Sequence, residues 1–267
     1  MSPQRPELDF VIDIAKRAGA TLMEYFGAGP TVRHKGTVNL VTDADLASEK
    51  IITSAISGVY PGHTIMAEEG SPEANASNAY RWIIDPLDGT TNYVHGLPLF
   101  GVSIGLQFDG ETVLGVVYNP AMDELYAAKS GGGATLNGRP LSVSGTDDLQ
   151  QALFVTGFPY VHDDLYHRSF DLFHEMYNRA RGGRRLGAAA LDCCYVAAGR
   201  FDFYYEANLK PWDLCAGDLI CREAGGRTSD WSGGALPFDG RRVLLSNGHL
   251  HEAVLEFMAE EAFRGLM

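Results

Sequence analysis

No stretch of this sequence reaches 18 consecutive apolar residues, and its opening decapeptide, MSPQRPELDF, is polar and proline-bearing rather than a charged start followed by an apolar run. Both absences argue against a membrane span or a secretory leader, so no membrane and a cytoplasmic location are expected. Cationic residues are scarce, with 21 Lys and Arg against 34 Asp and Glu for a formal charge of -13. Nucleic acid and anionic lipid both reward clustered cations, so neither is an expected partner. Cysteine is scarce as well: Cys193, Cys194, Cys215 and Cys221 all fall in the last third and form no C-x-x-C pair. With no helpful histidine neighbour either, they read as reduced core thiols. The eight histidines lack ligand spacing such as H-E-x-x-H, so none is assigned to catalysis.

What is present is enough apolar material for a sizeable core, 45% of 267 residues. Leu8, Val11, Ile12, Ala15, Ala18, Leu22 and Phe26 recur at helical spacing and predict a helix over about 6–26. A second helix should start at a Thr42 or Asp43 cap and stop before Gly58 and Pro61. From Trp82 to about Tyr126 short apolar runs separated by Gly, Asp and Asn-Pro predict sheet, and Asn137-Gly138 predicts a tight hairpin turn. Beyond residue 150 strands and helices alternate: ALFVTG strand, a polar helix around 162–180, RRLG as a short strand, helix 188–199, RFDFYYE strand, helix 212–224, a strand at Arg242–Ser246 and a helix from His249 to about Phe263. The pattern predicts a layered α/β or α+β fold. With no linker or repeat, 1–267 reads as one domain with packed subdomains of about 1–147 and 148–267.

Chemistry concentrates in WIIDPLDGTTNYVHG. A buried-looking strand delivers Asp85, Pro86 bends the chain, and Asp88 follows three residues later, fixing two carboxylates and the Leu87 carbonyl at one strand end. Hard divalent cations take oxygen ligands, and magnesium suits this set. Gly89-Thr90-Thr91 would offer exposed N–H groups to an anion, phosphate being the natural one, and the Thr90 hydroxyl would hold a water. The same turn taken alone also fits a purely conformational Asp-Gly-Thr loop. TIMAEEG sets Glu68 and Glu69 after an apolar strand, where they are either an exposed acidic loop or charges shared with a cation. KPWDLCAGD sets Asp213 in the first turn of a helix, where it is either a cap or a ligand.

WIIDPLDGTTNYVHGLPLFGVSIGL together with PWDLCAGDLICREAGG resembles the paired signatures of the inositol monophosphatase family, with matching order through nearly the whole chain. The resemblance implies a Mg²⁺-dependent, lithium-sensitive phosphatase, an αβαβα sandwich of the inositol monophosphatase and fructose bisphosphatase type, and a homodimer acting on a small-molecule phosphomonoester. It assigns Glu68, Asp85, the Leu87 carbonyl, Asp88 and Asp213 as ligands of two or three Mg²⁺, with Thr90, Asp45 and Glu68 serving the attacking water. Gly89 and Thr90 would bind phosphate, while Gly187, Ala188, Ala189, Glu206 and Asp213 would line the substrate pocket and Lys35 would sit on a flap.

Hydrolysis of inositol monophosphate and related polyol phosphates is the expected reaction, since Glu206 beside small residues favours a polyol over a nucleotide, which would want more basic or aromatic contacts. Same-family alternatives are histidinol phosphate, fructose 1,6-bisphosphate and adenosine 3′,5′-bisphosphate, and TGFPYVHDD in the middle of the chain points to a bacterial-type member of broader specificity. An aspartyl-phosphate reading of Asp43-x-Asp45 fits poorly, because Ala47 stands where Thr or Val is required and the segment reads as a helix start. A different class, a binding partner of transcription machinery with secondary catalysis, rests on Arg179, Arg181, Arg184 and Arg185 alone.

Overall fold

The computed structural model describes residues 6–28, 32–34, 40–70 and 79–260. Helix α1 (Leu8–Ala28) leads through an antiparallel pair, β1 (Val32–His34) and β2 (Leu40–Thr42), into α2 (Asp43–Val59). Thr42 caps α2, its hydroxyl accepting from the Ala44 and Asp45 N–H groups, while the Asp45 carboxylate accepts from the Thr42 N–H in return. Strands β3 (Thr64–Ala67) and β4 (Tyr80–Asp88), the short helix α3 (Thr90–Val94), and β5 (Gly101–Phe108), β6 (Glu111–Asn119), β7 (Glu124–Lys129), β8 (Ala134–Leu136) and β9 (Arg139–Pro140) follow. These strands form a seven-stranded sheet in chain order, parallel at β3–β4 and antiparallel elsewhere. The β8–β9 turn is Asn137-Gly138, both at positive φ (50° and 76°), as the tight turn requires.

The remainder comprises β10 (Leu153–Thr156), α4 (Asp164–Arg179), β11 (Gly182–Arg184), α5 (Ala189–Ala197), β12 (Phe203–Ala207), α6 (Pro211–Glu223), β13 (Arg227–Ser229), β14 (Arg242–Ser246) and α7 (His251–Met258). Its sheet runs β11-β10-β12-β14-β13. The strand expected at RRLG lies two residues earlier, so Arg185, Leu186 and Gly187 have already left the sheet.

Strand alternation explains the layers, because successive side chains face opposite sides of a sheet. Trp82, Ile84, Val102 and Ile104 pack under Val11, Ile14, Leu22 and Ile52 of α1 and α2, while Val117 and Tyr126 turn to the other face. There they meet Leu191, Cys194, Leu219 and Ile220 of α5 and α6, which are covered in turn by Val155, Tyr204 and Leu245 of the second sheet. Phe154, Phe203 and Leu244 face outward under Leu172, Met176, Val254 and Phe257 of α4 and α7. The result is the five-layer αβαβα sandwich. Gly105 and Gly115 sit under α6, where a Cβ would collide with Cys215 and Ala216, so the missing side chains let that helix settle onto β5 and β6. All four cysteines are buried and free.

Candidate active site

Strand β4 carries the acidic turn at its end, where its register against β5 shifts between Asp85 and Asp88. The Ser48 hydroxyl of α2 donates to the Pro86 carbonyl at 2.8 Å, and the Leu87 N–H returns to Asp85 Oδ1 at 3.0 Å. Asp88 crosses to the other half of the chain, its two oxygens accepting from the Ala189 and Ala190 N–H groups at 3.1 and 2.9 Å, in the first turn of α5. Asp213 stands in the first turn of α6, its Oδ2 accepting from the Lys210 N–H at 2.7 Å, so it is both a helix-end residue and a site residue.

Ligand oxygens of Asp85, Asp88 and Asp213 come within 4.8 Å of one another; Asp85 and Asp88 are buried, 2% and 6% exposed, and Asp213 is half-buried. Carboxylates so placed resist ionisation, because burial and like charge both penalise the anion. Burial, then the charges of Glu68, Asp88 and Asp213, holds Asp85 well above the usual carboxylate range. Burial pushes Asp88 up to about 7, against the backbone N–H groups that pull it down, and burial with the Asp88 charge does the same to Asp213. A converging, oxygen-only, electrostatically strained donor set fits a divalent cation, which would supply the missing positive charge.

The three acids floor a cavity of about 370 Å³. Glu68, just past β3, lines the same cavity, and its charge reaches Asp85 and Asp88, although the tight trio among the described residues does not include it. Leu87, Gly89 and Thr90 form the near wall. Gly89 adopts φ 85° as the N-cap of α3, and a Cβ there would press on the Leu99 carbonyl at 2.8 Å. The Thr90 hydroxyl lies 3.2 Å from the Leu87 carbonyl and 3.4 Å from Asp45 Oδ1. Asp45 itself is 1% exposed and does not line the cavity; burial pushes it up to about 6, with Thr42 hydrogen bonds pulling the other way.

Gly187, Ala188 and Ala189 make the far wall, and Glu206 of β12 the side wall. Burial raises Glu206 to about 7 while the Tyr204 hydroxyl, donating to its Oε2 at 2.7 Å, opposes that. Lys35 lies outside the described residues.

Several residues that sequence reasoning left out share the site. Asn92 of α3 donates from Nδ2 to the Leu99 and Leu186 carbonyls at 2.7 and 2.8 Å, tying the acidic turn to the far wall. Phe158, Tyr160, Arg185, Lys210 and Trp212 also line the cavity, so basic and aromatic contacts of the kind a nucleotide would want are present. The arginines read as a partner surface take different partners: Arg179 pairs with Glu260, Arg181 with Gln151, Arg184 with the Gly183 carbonyl, and Arg185 lines the cavity. Among the described residues no helix is long and apolar enough to cross a membrane.

The model of the inositol monophosphatase family matches residues 4–262. The chain belongs to that family. It is 43% identical over 256 residues to phosphatase IMPL1, chloroplastic, of Arabidopsis thaliana, covering 93% of this chain and 69% of the relative. It is 39% identical to the inositol-1-monophosphatase of Rhizobium meliloti (93% and 94% covered) and 40% identical to Nus factor SuhB of Pasteurella multocida (96% and 94%). Among solved structures it resembles the extragenic suppressor protein suhB of Bartonella henselae (TM-score 0.90, 37% identity, 95% and 98% covered). It also resembles SaIMPase-II bound to inositol monophosphate (TM-score 0.81, 30% identity, 97% of both covered). As an inositol monophosphatase family member, the chain is a phosphatase of the hydrolase class.

Proposed function

We propose that this phosphatase is Mg²⁺-dependent and releases phosphate from inositol monophosphate or a similar polyol phosphate. The observation that carries the reading is the convergence of Asp85, Asp88 and Asp213 within 4.8 Å at the floor of a cavity whose side wall is Glu206. Glu68, Asp85, the Leu87 carbonyl, Asp88 and Asp213 would hold two or three Mg²⁺, which when bound lower the pKa of water and neutralise charge on the transferring phosphoryl group. One relative described as an inositol-1-monophosphatase and a structural neighbour that holds inositol monophosphate support the same substrate class.

The chain's own groups divide the remaining work. Thr90, its hydroxyl suspended between Asp45 and the Leu87 carbonyl, orients the attacking water, and Asp45 receives the hydrogen bond that fixes that hydroxyl. The N–H groups of Gly89 and Thr90 bind phosphate oxygens; Gly187, Ala188 and Ala189 shape the far wall; Glu206 accepts from substrate hydroxyls. Water adds to phosphorus as the P–O ester bond breaks, and the departing polyol oxygen takes a proton, giving polyol and inorganic phosphate. Relatives named Nus factor SuhB favour the transcription-partner reading as a second one, although in this chain two of the arginines behind it are engaged, Arg179 with Glu260 and Arg181 with Gln151.

Phosphate release from inositol 1-phosphate, glycerol 2-phosphate, histidinol phosphate, fructose 1,6-bisphosphate and adenosine 3′,5′-bisphosphate, with Mg²⁺, with EDTA, and with Mg²⁺ plus Li⁺, tests the proposal. Mg²⁺-dependent, lithium-sensitive turnover strongest on the inositol ester is expected. A different best ester would move the substrate, and turnover undiminished by EDTA would overturn the metal assignment.

A further inference from the structure

The cavity wall holds a cation that the reaction above leaves idle. Arg185 lines the cavity where the chain has just left β11, and Gly187, at φ 84°, is the residue that lets its guanidinium fold back: a Cβ on Gly187 would collide with Arg185 Nη1. Arg185 stands beside Tyr160, also in the lining, and makes no ion pair among the described residues. Attraction nonetheless reaches it from two carboxylates, Glu206 in the side wall and the fully buried Asp192 behind the far wall.

Glu206 is positioned in a matching way. Gly157, next to the end of β10, leaves the room its carboxylate occupies, since a Cβ there would run into both carboxylate oxygens. Tyr204 takes Glu206 Oε2, leaving Oε1 without a hydrogen-bond partner among the described residues. Two glycines on separate strands' ends thus clear space for an acceptor and a forked donor that line one cavity without closing on each other.

We propose that Arg185 is a specificity-determining residue that, with Glu206, recognises adjacent hydroxyls on the alcohol part of the phosphate ester. A hydroxyl donates one hydrogen bond and accepts others, so a vicinal diol satisfies both groups: its O–H donates to Glu206 Oε1 while the guanidinium N–H groups donate to its oxygens. An alcohol without such hydroxyls leaves the guanidinium to water and gains nothing from it. A lone carboxylate wall would not distinguish one hydroxyl from two; a planar fork facing it does. This rests on the polyol-phosphate reading of the site and names the group that would enforce it.

The test compares steady-state kinetics of the intact protein and its Arg185→Met and Arg185→Lys variants, with Mg²⁺, on inositol 1-phosphate, which carries hydroxyls beside the ester, and on phenyl phosphate, which carries none. Arg185→Met should lower kcat/KM for inositol 1-phosphate roughly 10- to 100-fold, the range for losing a charged hydrogen bond, mainly through KM. Turnover of phenyl phosphate should stay within about twofold, and Arg185→Lys should recover part of the loss. An equal loss on both esters would make Arg185 a structural support, and no loss on either would leave it without a role in recognition; both overturn the proposal. Wild-type protein that hydrolyses neither ester would instead sink the underlying phosphatase-on-polyols reading along with it, which separates the two failures.

Discussion

Two buried polar regions of this molecule follow opposite rules. In the second half, His251 is fully buried with Nε2 2.9 Å from the Ser229 hydroxyl and Nδ1 2.8 Å from the Ser246 hydroxyl, and Asp202 accepts from Ser144 and the Leu153 N–H. Every partner there comes from the chain itself. At the cavity floor, Asp85 and Asp88 are buried and Asp213 is half-buried, yet the charges that bear on Asp85 are those of other carboxylates, Glu68, Asp88 and Asp213. Burial of polar groups therefore separates structure from function only when one asks whether the chain completes the interaction. The first region is closed and contributes stability; the second is open, and the proposed cation is what would compensate its charge.

The sharpest way to break this contrast is Asp85→Asn. Its Oδ1 hydrogen bond to the Leu87 N–H survives in an amide, whereas Asp88 uses both oxygens on backbone donors and would be a poorer choice. Phosphate release should fall at least about 1,000-fold, roughly 4 kcal/mol of barrier. The metal-free variant should nevertheless melt at or above the wild-type temperature in EDTA, because a repelling charge is gone. A large loss of both activity and thermal stability would mean that the acidic turn is a structural element.

Acid separates the two regions by sign. Burial lowers His251 to about 4 from the unfolded value near 6.5, so the unfolded chain binds the proton first. Its contribution is fully present above pH 6.5 and is lost as pH falls towards 4. The floor acids are shifted upward, to about 7 for Asp88 and Asp213, so there the folded state binds protons first and the metal-free protein gains from that region as pH falls from 7 towards 4. Urea melts at stepped pH should show the His251 loss cleanly in saturating Mg²⁺, and His251→Asn should flatten it. An unchanged slope in that variant would place the titrating group elsewhere.

Cation binding gives a slightly smaller effect. At a Mg²⁺ concentration about 100 times the dissociation constant, linkage stabilises the folded state by about 2.7 kcal/mol. That gain should appear in thermal melts of the wild type and vanish in Asp85→Asn, while melts of His251→Asn keep it. Equal gains in wild type and Asp85→Asn would show that the ion binds outside the acidic floor.

How far the sequence discloses this contrast depends on range. The DPLDGT turn is local, with strand, bend and both carboxylates inside six residues, and α1 and α2 announce themselves by spacing and by the Thr42 cap. Asp213 read alone is a helix cap; only the packing of α6 onto glycines of β5 and β6 brings it to Asp85. Arg185 was the least legible residue. In the sequence it joins three other arginines, but the strand ends at Arg184 and Gly187 reverses the backbone, turning this one side chain into the cavity while its neighbours go elsewhere. Helix α3 is legible only as a helix or turn start at Gly89-Thr90-Thr91, because five residues give no periodicity to read.

Ser48 sits on the border between the two regions and yields the smallest prediction. Its hydroxyl is fully buried and paired inside the chain, as in the closed region, yet its partner is the Pro86 carbonyl between Asp85 and Asp88 in the open one. Removing it in Ser48→Ala leaves one carbonyl short of one hydrogen bond, about 1 kcal/mol of stability. The turn also loses the contact that fixes its bend from α2, and outer contacts of that kind are worth about 10-fold or more in metal affinity. The Mg²⁺ concentration for half-maximal phosphate release should therefore rise about 10-fold while the rate at saturating Mg²⁺ stays near wild type. If instead the saturated rate drops and the Mg²⁺ requirement does not move, the hydroxyl serves the geometry of the reacting groups rather than the cation, and the border between closed and open regions lies one layer further out than Ser48.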